Sequence, residues 1–286
     1  MRGFKDNLRV LRLWLGKLVL DKNMPVDAPL TPLNKILFIR HDGKLGDYAI
    51  TSFIYRELKR FLPDIQIGVV ATAGTKYLYD ENPHVDAVYV VPARSMSAFH
   101  RLGKAISKER YDMLVDTTEV LRNRDLALIR AVDARINVGC GQTLRIFNVN
   151  LPTGGHLSDT YGDILKLLGF DEYDSSGYTP QDGQSRLNTE KFLHDNGISD
   201  FILLNCFGAA TMKKMTETSI IALIANISRT APARKIVLLS YEGVRPLLEK
   251  VVEKAGNDNI YIFNSPAGIF EAVGIIRAAS YVISPD

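Results

Sequence analysis

From Lys35 onward, short apolar runs rich in β-branched residues alternate with stretches whose apolar positions recur every three or four residues. The short runs predict strands over Ile36–Arg40, Ile67–Ala71, Ala87–Val91, Met113–Asp116 and Arg135–Gly139. The periodic stretches predict helices over Tyr48–Phe61, Thr75–Glu81, Ser97–Lys108, Asn123–Ala131 and Ser158–Leu168. Continuous apolar strands separated by helices mark a parallel sheet covered on both faces. Phe170 to Leu187 is rich in Asp, Ser, Gly and Pro and has no apolar period, so it predicts a domain boundary. A second alternation follows, with strands over Phe201–Cys206, Lys235–Ser240, Ile260–Phe263 and Tyr281–Ser284. Its helices are expected over Glu217–Thr230, Val244–Ala255 and Ile269–Ala279. The expected organisation is a terminal helix and linker (1–32), a first domain (33–170), a linker (171–194) and a second domain (195–286). Two parallel-sheet, Rossmann-like domains imply a cleft between them, faced by the C-terminal ends of the strands.

Composition narrows the class. At 286 residues the chain is long enough for two ordinary domains, and 46% hydrophobic with 23% charged residues is usual for a soluble globular protein. No apolar run reaches the eighteen or so residues of a membrane span. Cys140 and Cys206 lie far apart and fit no metal or redox spacing, so they are expected as free thiols in a reducing cytoplasm. The five histidines are scattered, and no metal site is visible.

The net charge of +3 is unevenly spread. Residues 1–22 hold six basic residues against Asp6 and Asp21, a net of +4, which leaves the body slightly acidic. On a helical wheel Phe4, Leu8, Leu11, Leu15 and Leu18 share one face, with Trp14 at its edge and Arg2, Lys5, Arg9 and Arg12 opposite. Such a helix suits an anionic membrane surface. It equally suits packing on the protein's own core. Charges interrupt the apolar stretch, which makes it a poor secretory signal. A slightly acidic body argues against nucleic-acid binding.

Polar groups gather at several expected strand ends. The first strand runs into Arg40-His41-Asp42-Gly43-Lys44-Leu45-Gly46-Asp47. Asp47 falls in the first turn of the next helix, with Gly46 before it allowing close backbone approach. A carboxylate there is either a catalytic base or a favourable charge at the helix's positive end. After Cys206 comes a run of small residues with Lys213 and Lys214. It is either a diphosphate cradle or a solvated loop, and it matches neither a P-loop nor G-x-G-x-x-G. Glu242 follows another strand, as a ribose contact or an ordinary turn residue, and Asp286 follows the last strand.

Taken together these segments resemble the heptosyltransferases of glycosyltransferase family 9. The resemblance rests on Lys35–Arg40 leading to Leu45-Gly46-Asp47, then Thr51-Ser52 and Arg56-Glu57-Leu58. It continues through Asn82-Pro83-His84-Val85-Asp86-Ala87-Val88, Tyr111–Asp116, His156–Gly169, Lys213-Lys214 and Ser284-Pro285-Asp286. It implies the GT-B fold and an inverting, metal-independent transfer of heptose or a related sugar. The donor is an ADP-sugar, with no further cofactor, and the acceptor is the lipopolysaccharide core at the cytoplasmic face of the inner membrane. It implies Asp47 as the base, and Lys213, Glu242, Gly268 and Asp286 on the donor nucleotide. Lys44, Gly46 and Arg40 are left to the acceptor or to loop support. The basic terminal helix would then favour peripheral attachment to anionic lipid.

Three departures qualify the resemblance. The Arg40–Asp47 turn is one residue longer than in better-known members, and Met215-Thr216 stands where Trp-Pro is usual. The family's segment beyond Asp286 is absent from this sequence. These departures make a truncated, inactive relative that binds nucleotide or glycan the alternative expectation. An unrelated two-domain α/β binding protein is the second.

Overall fold

The computed structural model describes residues 14, 16–25, 29–91, 95–179, 183–208, 215–241, 243–264 and 269–285. The chain divides into two compact units, Met1–Tyr178 and Thr179–Asp286, each α/β with one fully parallel sheet.

Unit 1 is built on six strands: β1 (Lys35–Arg40), β2 (Gln66–Ala71), β3 (Ala87–Val90), β4 (Met113–Asp116), β5 (Ile136–Cys140) and β6 (Val149–Leu151). Their spatial order is β3-β2-β1-β4-β5-β6. β1 is central, with Ile36, Leu37 and Phe38 fully buried, because it carries helices on both faces and so needs apolar residues at every position. Register is set by pairs such as Phe38 with Val69 on one side and with Val115 on the other. The expected helix over Tyr48–Phe61 is two helices, α1 (Leu45–Thr51) and α2 (Phe53–Phe61), broken at Ser52. The Ser52 hydroxyl donates to the Ala49 carbonyl at 3.1 Å and accepts from the Tyr178 N–H at 2.7 Å. Gly177 sits against that break, where a Cβ would come within 2.2 Å of the Ala49 carbonyl oxygen. The remaining helices of the unit are α3 (Lys76–Asp80), α4 (Met96–Ile106), α5 (Asn123–Val132) and α6 (Leu157–Leu167). β6, which sequence periodicity does not predict, extends the sheet beyond β5.

The segment expected as a linker is divided between the units. Phe170 stacks on Phe61 at 4.2 Å and Tyr173 on Phe53 at 6.0 Å. Arg56 and Arg60 donate to the backbone carbonyls of Asp174 and Glu172. Residues 170–178 are therefore part of unit 1. Beyond them, α7 (Gly183–Asp195) opens unit 2, with the Asn188 amide donating to Glu271 at 2.9 Å.

The sheet of unit 2 has the order β10-β7-β8-β9, from β7 (Phe201–Leu204), β8 (Lys235–Ser240), β9 (Ile260–Asn264) and β10 (Tyr281–Ile283). Helices α8 (Glu217–Thr230), α9 (Arg245–Ala255) and α10 (Ile269–Ala278) accompany them. Ile220, Ile224 and Ile227 of α8 recur at helical spacing and bury against Leu204 and Leu238.

Of the expected terminal helix, Trp14 and residues 16–20 are helical, and residues 1–13 lie outside the described residues. Leu20 packs on the unit 1 core, and Asp21 accepts from the backbone N–H groups of Arg145 and Ile146. Trp14, Leu18 and Val19 are exposed. No helix among the described residues is long and apolar enough to cross a membrane.

Candidate functional site

The strand order of unit 1 decides where a ligand can sit. In an open parallel sheet, ligands bind outside the carboxyl ends of the strands where the order reverses. Here the chain builds outward through β2 and β3 on one side of β1 and through β4, β5 and β6 on the other. A cavity of about 320 Å³ lies at that point. Its walls come from the end of β1 (Ile39, Arg40), the turn after it (His41, Asp42, Lys44), Asp47 of α1, the loop after β4 (Thr117, Thr118, Glu119), and Leu157.

The sequence-predicted residues of this unit meet there. Asp47 is in the first turn of α1, and its side chain keeps 27% exposure. Its Oδ2 is 3.4 Å from Lys44 Nζ and 3.9 Å from Arg40 Nη2. Arg40 is buried, with Nη2 also 3.7 Å from Asp42 Oδ2. Its Nη1 donates to the Tyr161 hydroxyl of α6 at 2.9 Å. The guanidinium thus sits between a phenol and two carboxylates, which fits loop support of the base-bearing turn. Nε and Nη2 make no hydrogen bond among the described residues, although both are shielded from solvent. Lys44 precedes α1 and its side chain is exposed.

Gly46 differs from expectation. It has no positive φ, and a Cβ there would meet nothing within 4 Å, so no close backbone approach requires it. The glycine this turn needs is Gly43, whose φ of 73° is a conformation that L side chains rarely adopt. Lys213, Glu242, Gly268 and Asp286 lie outside the described residues.

Beneath the cavity the structure assembles charged groups that sequence reasoning did not join. His41 Nε2 is 3.2 Å from Asp125 Oδ1 at the start of α5, and the ring stands edge-on to Phe99 at 5.3 Å. Asp116 ends β4 with no exposure, and its Oδ1 accepts from the Thr118 N–H at 2.9 Å. Burial pushes the Asp116 carboxyl up to about 6, against the opposing pull of the Thr118 hydrogen bonds and of His41. Burial alone would lower the His41 pKa, but the Asp125 carboxylate 3.2 Å away, with the charge of Asp116 behind it, carries it above its ordinary value. Asp116 was legible as a polar residue at a strand end. The pairing of His41 with Asp125 was not, because they stand 84 residues apart in sequence. No group of three or more potential metal ligands occurs among the described residues.

Comparison with known proteins supports this architecture. No protein-family model matches the chain. A glycosyl transferase family 9 structure from Veillonella parvula superposes with a TM-score of 0.69 at 18% identity, over 92% of this chain and 77% of that one. An Escherichia coli heptosyltransferase solved with ADP superposes at 0.64 with 16% identity, over 88% of this chain and 81% of that one. The fold is that of glycosyltransferase family 9. It is a GT-B-type α/β fold, as the resemblance implied. In sequence, 99 residues are 27% identical to lipopolysaccharide heptosyltransferase 3 of Escherichia coli, over 32% of this chain. The matched stretch spans 28% of that relative's length.

Proposed function

We propose that the chain is an inverting glycosyltransferase that moves heptose or a related sugar from an ADP-sugar to a lipopolysaccharide core acceptor. The observation that carries this reading is the position of Asp47: a partly exposed carboxylate on a cavity wall at the switch point of the sheet. The family 9 fold and the heptosyltransferase match in sequence give that carboxylate its context. In a single displacement the acceptor hydroxyl must lose a proton as its bond to the anomeric carbon forms. Asp47 takes that proton, with Lys44 and Arg40 fixing its carboxylate, so that positioning supplies much of its effect. The open space over Gly46 leaves room for the acceptor beside the base. The acceptor's hydroxyls meet Thr117, Thr118 and Glu119, and an acidic substituent meets Lys44. Lys213, Glu242, Gly268 and Asp286 hold the donor, with Lys213 meeting the charge that develops on the leaving diphosphate. No metal takes part in this scheme. The basic segment 1–22, with Trp14, Leu18 and Val19 exposed, brings the enzyme to anionic lipid as a peripheral protein.

The test is sugar transfer from ADP-heptose to a lipopolysaccharide core acceptor, with ADP binding measured in parallel. Asp47→Asn should lower kcat by about 10²–10⁴-fold with ADP affinity retained. Transfer that persists unchanged in the variant removes Asp47 as the base. Saturable ADP binding without any wild-type transfer makes the chain a nucleotide-binding relative instead.

A further inference from the structure

The buried cluster under the cavity has no part in the transfer scheme, yet it is joined directly to the turn that carries the base. Two carboxylates, Asp125 and Asp116, are almost wholly removed from water. Asp116 Oδ2 has no hydrogen-bond partner among the described residues. Carboxylates buried in this way need a cation close by. From the turn, His41 reaches Asp125 at 3.2 Å, and Asp116 lies close enough to act on the same ring. From α5, Arg124 Nε lies 3.6 Å from the same Asp125 oxygen, and its guanidinium stands 5.3 Å over the Phe99 ring of α4. On the turn itself Arg40 and Asp42 flank His41, and Glu119 faces the cavity from the loop after β4. A guanidinium keeps its charge at any ordinary pH. His41 is the cation of this set whose charge changes near neutrality.

Covalent geometry couples that charge to Asp47. His41 follows β1 directly, and the turn then bends at Gly43 before α1 begins at Leu45. Arg40 is tied to α6 and His41 to α5, so both anchors of the turn lie on its β1 side.

We propose that His41 is a positioning residue for Asp47: as an imidazolium shared by Asp125 and Asp116 it pins the β1–α1 turn, and its deprotonation releases that turn. The link to catalysis rests on the reading of Asp47 as the base, whereas the pinning itself does not. The raised His41 pKa gives the sense of the effect. The turn is held at pH below that raised value and loosens as pH climbs through it.

The test follows amide and imidazole NMR signals of the full chain between pH 5 and pH 9. The Gly46 and Asp47 amide shifts should move with the same inflection as the His41 ring, above the ordinary histidine value. Asp125→Asn should bring both inflections down together by about 1 pH unit. In His41→Gln the alkaline inflection of the two amides should vanish. Amides that stay fixed while His41 titrates in the wild-type chain overturn the proposal. So does an inflection that His41→Gln leaves in place. Where transfer is measurable, the alkaline limb of kcat should shift with the His41 inflection in Asp125→Asn, with KM for the donor little changed. Coupled titration without any transfer supports the pinning and removes the transferase reading. Transfer with uncoupled amides does the reverse.

Discussion

At the scale of single residues, burial decides how each charge behaves. Arg40 and Asp47 are seven positions apart, but one is enclosed and the other keeps a path to solvent. That difference lets one act as a fixed cation and the other as a group that can meet a substrate. Asp116 shows the cost of burial. Its carboxyl is raised from 3.8 to about 6, so the fold favours the neutral acid. The stability it contributes is fully present below the unfolded value and is lost as pH rises through about 6. The loss is on the order of 3 kcal/mol at one pH unit per 1.4 kcal/mol. His41 runs in the same sense, since its raised value gives stability below 6.5 that is lost as pH climbs above it. Unit 1 should therefore be less stable at pH 8 than at pH 5. Asp116→Asn should flatten that dependence, as measured by urea unfolding of both proteins at a series of pH values. Parallel curves for the two proteins would show that Asp116 does not titrate in this range.

At the scale of elements, α1 and α2 illustrate how tertiary contact overrides a continuous helical pattern. Nothing between Tyr48 and Phe61 breaks helical periodicity, yet the helix divides where Ser52 and Ala49 receive residues 177 and 178. The close pairing of α4 and α5 offers a sharper test. A Cβ on Gly103 would stand 2.6 Å from the Ala131 Cβ and 2.8 Å from the Leu128 carbonyl oxygen. Alanine favours a helix over glycine by up to about 1 kcal/mol. Overpacking against backbone costs about 1–3 kcal/mol. Gly103→Ala should therefore destabilise unit 1 by about 1 kcal/mol, seen as a lower urea midpoint with an unchanged slope. A gain in stability would show that the two helices separate at little cost.

At the scale of the whole molecule, the division into units follows packing rather than composition. Residues 170–178 have the composition of a linker, but Phe170 and Tyr173 stack on α2 and the backbone carbonyls of 172 and 174 are held by Arg60 and Arg56. A fragment ending at Tyr178 should unfold cooperatively and at a higher temperature than one ending at Gly169, read by calorimetry. Equal transitions would mean that the segment adds nothing to unit 1.

Local chemistry alone determined the strands other than β6, most of the helices and the α/β class, because apolar runs and 3.6-residue periods register directly which face must leave water. It also placed Asp47 in the first turn of a helix after a strand, since that depends only on neighbours in the chain. The resemblance added the family 9 fold. Tertiary structure decided the rest. Strand order put β4 beside β1, and with it Thr117–Glu119 opposite Asp47, because pairing between distant strands leaves no trace in either one's pattern. It transferred the role of turn glycine from Gly46 to Gly43, since φ is set by the path the chain must follow. It also joined His41 to Asp125 and Asp116. Each is an unremarkable polar residue by itself, and only shared burial gives them a common charge to balance.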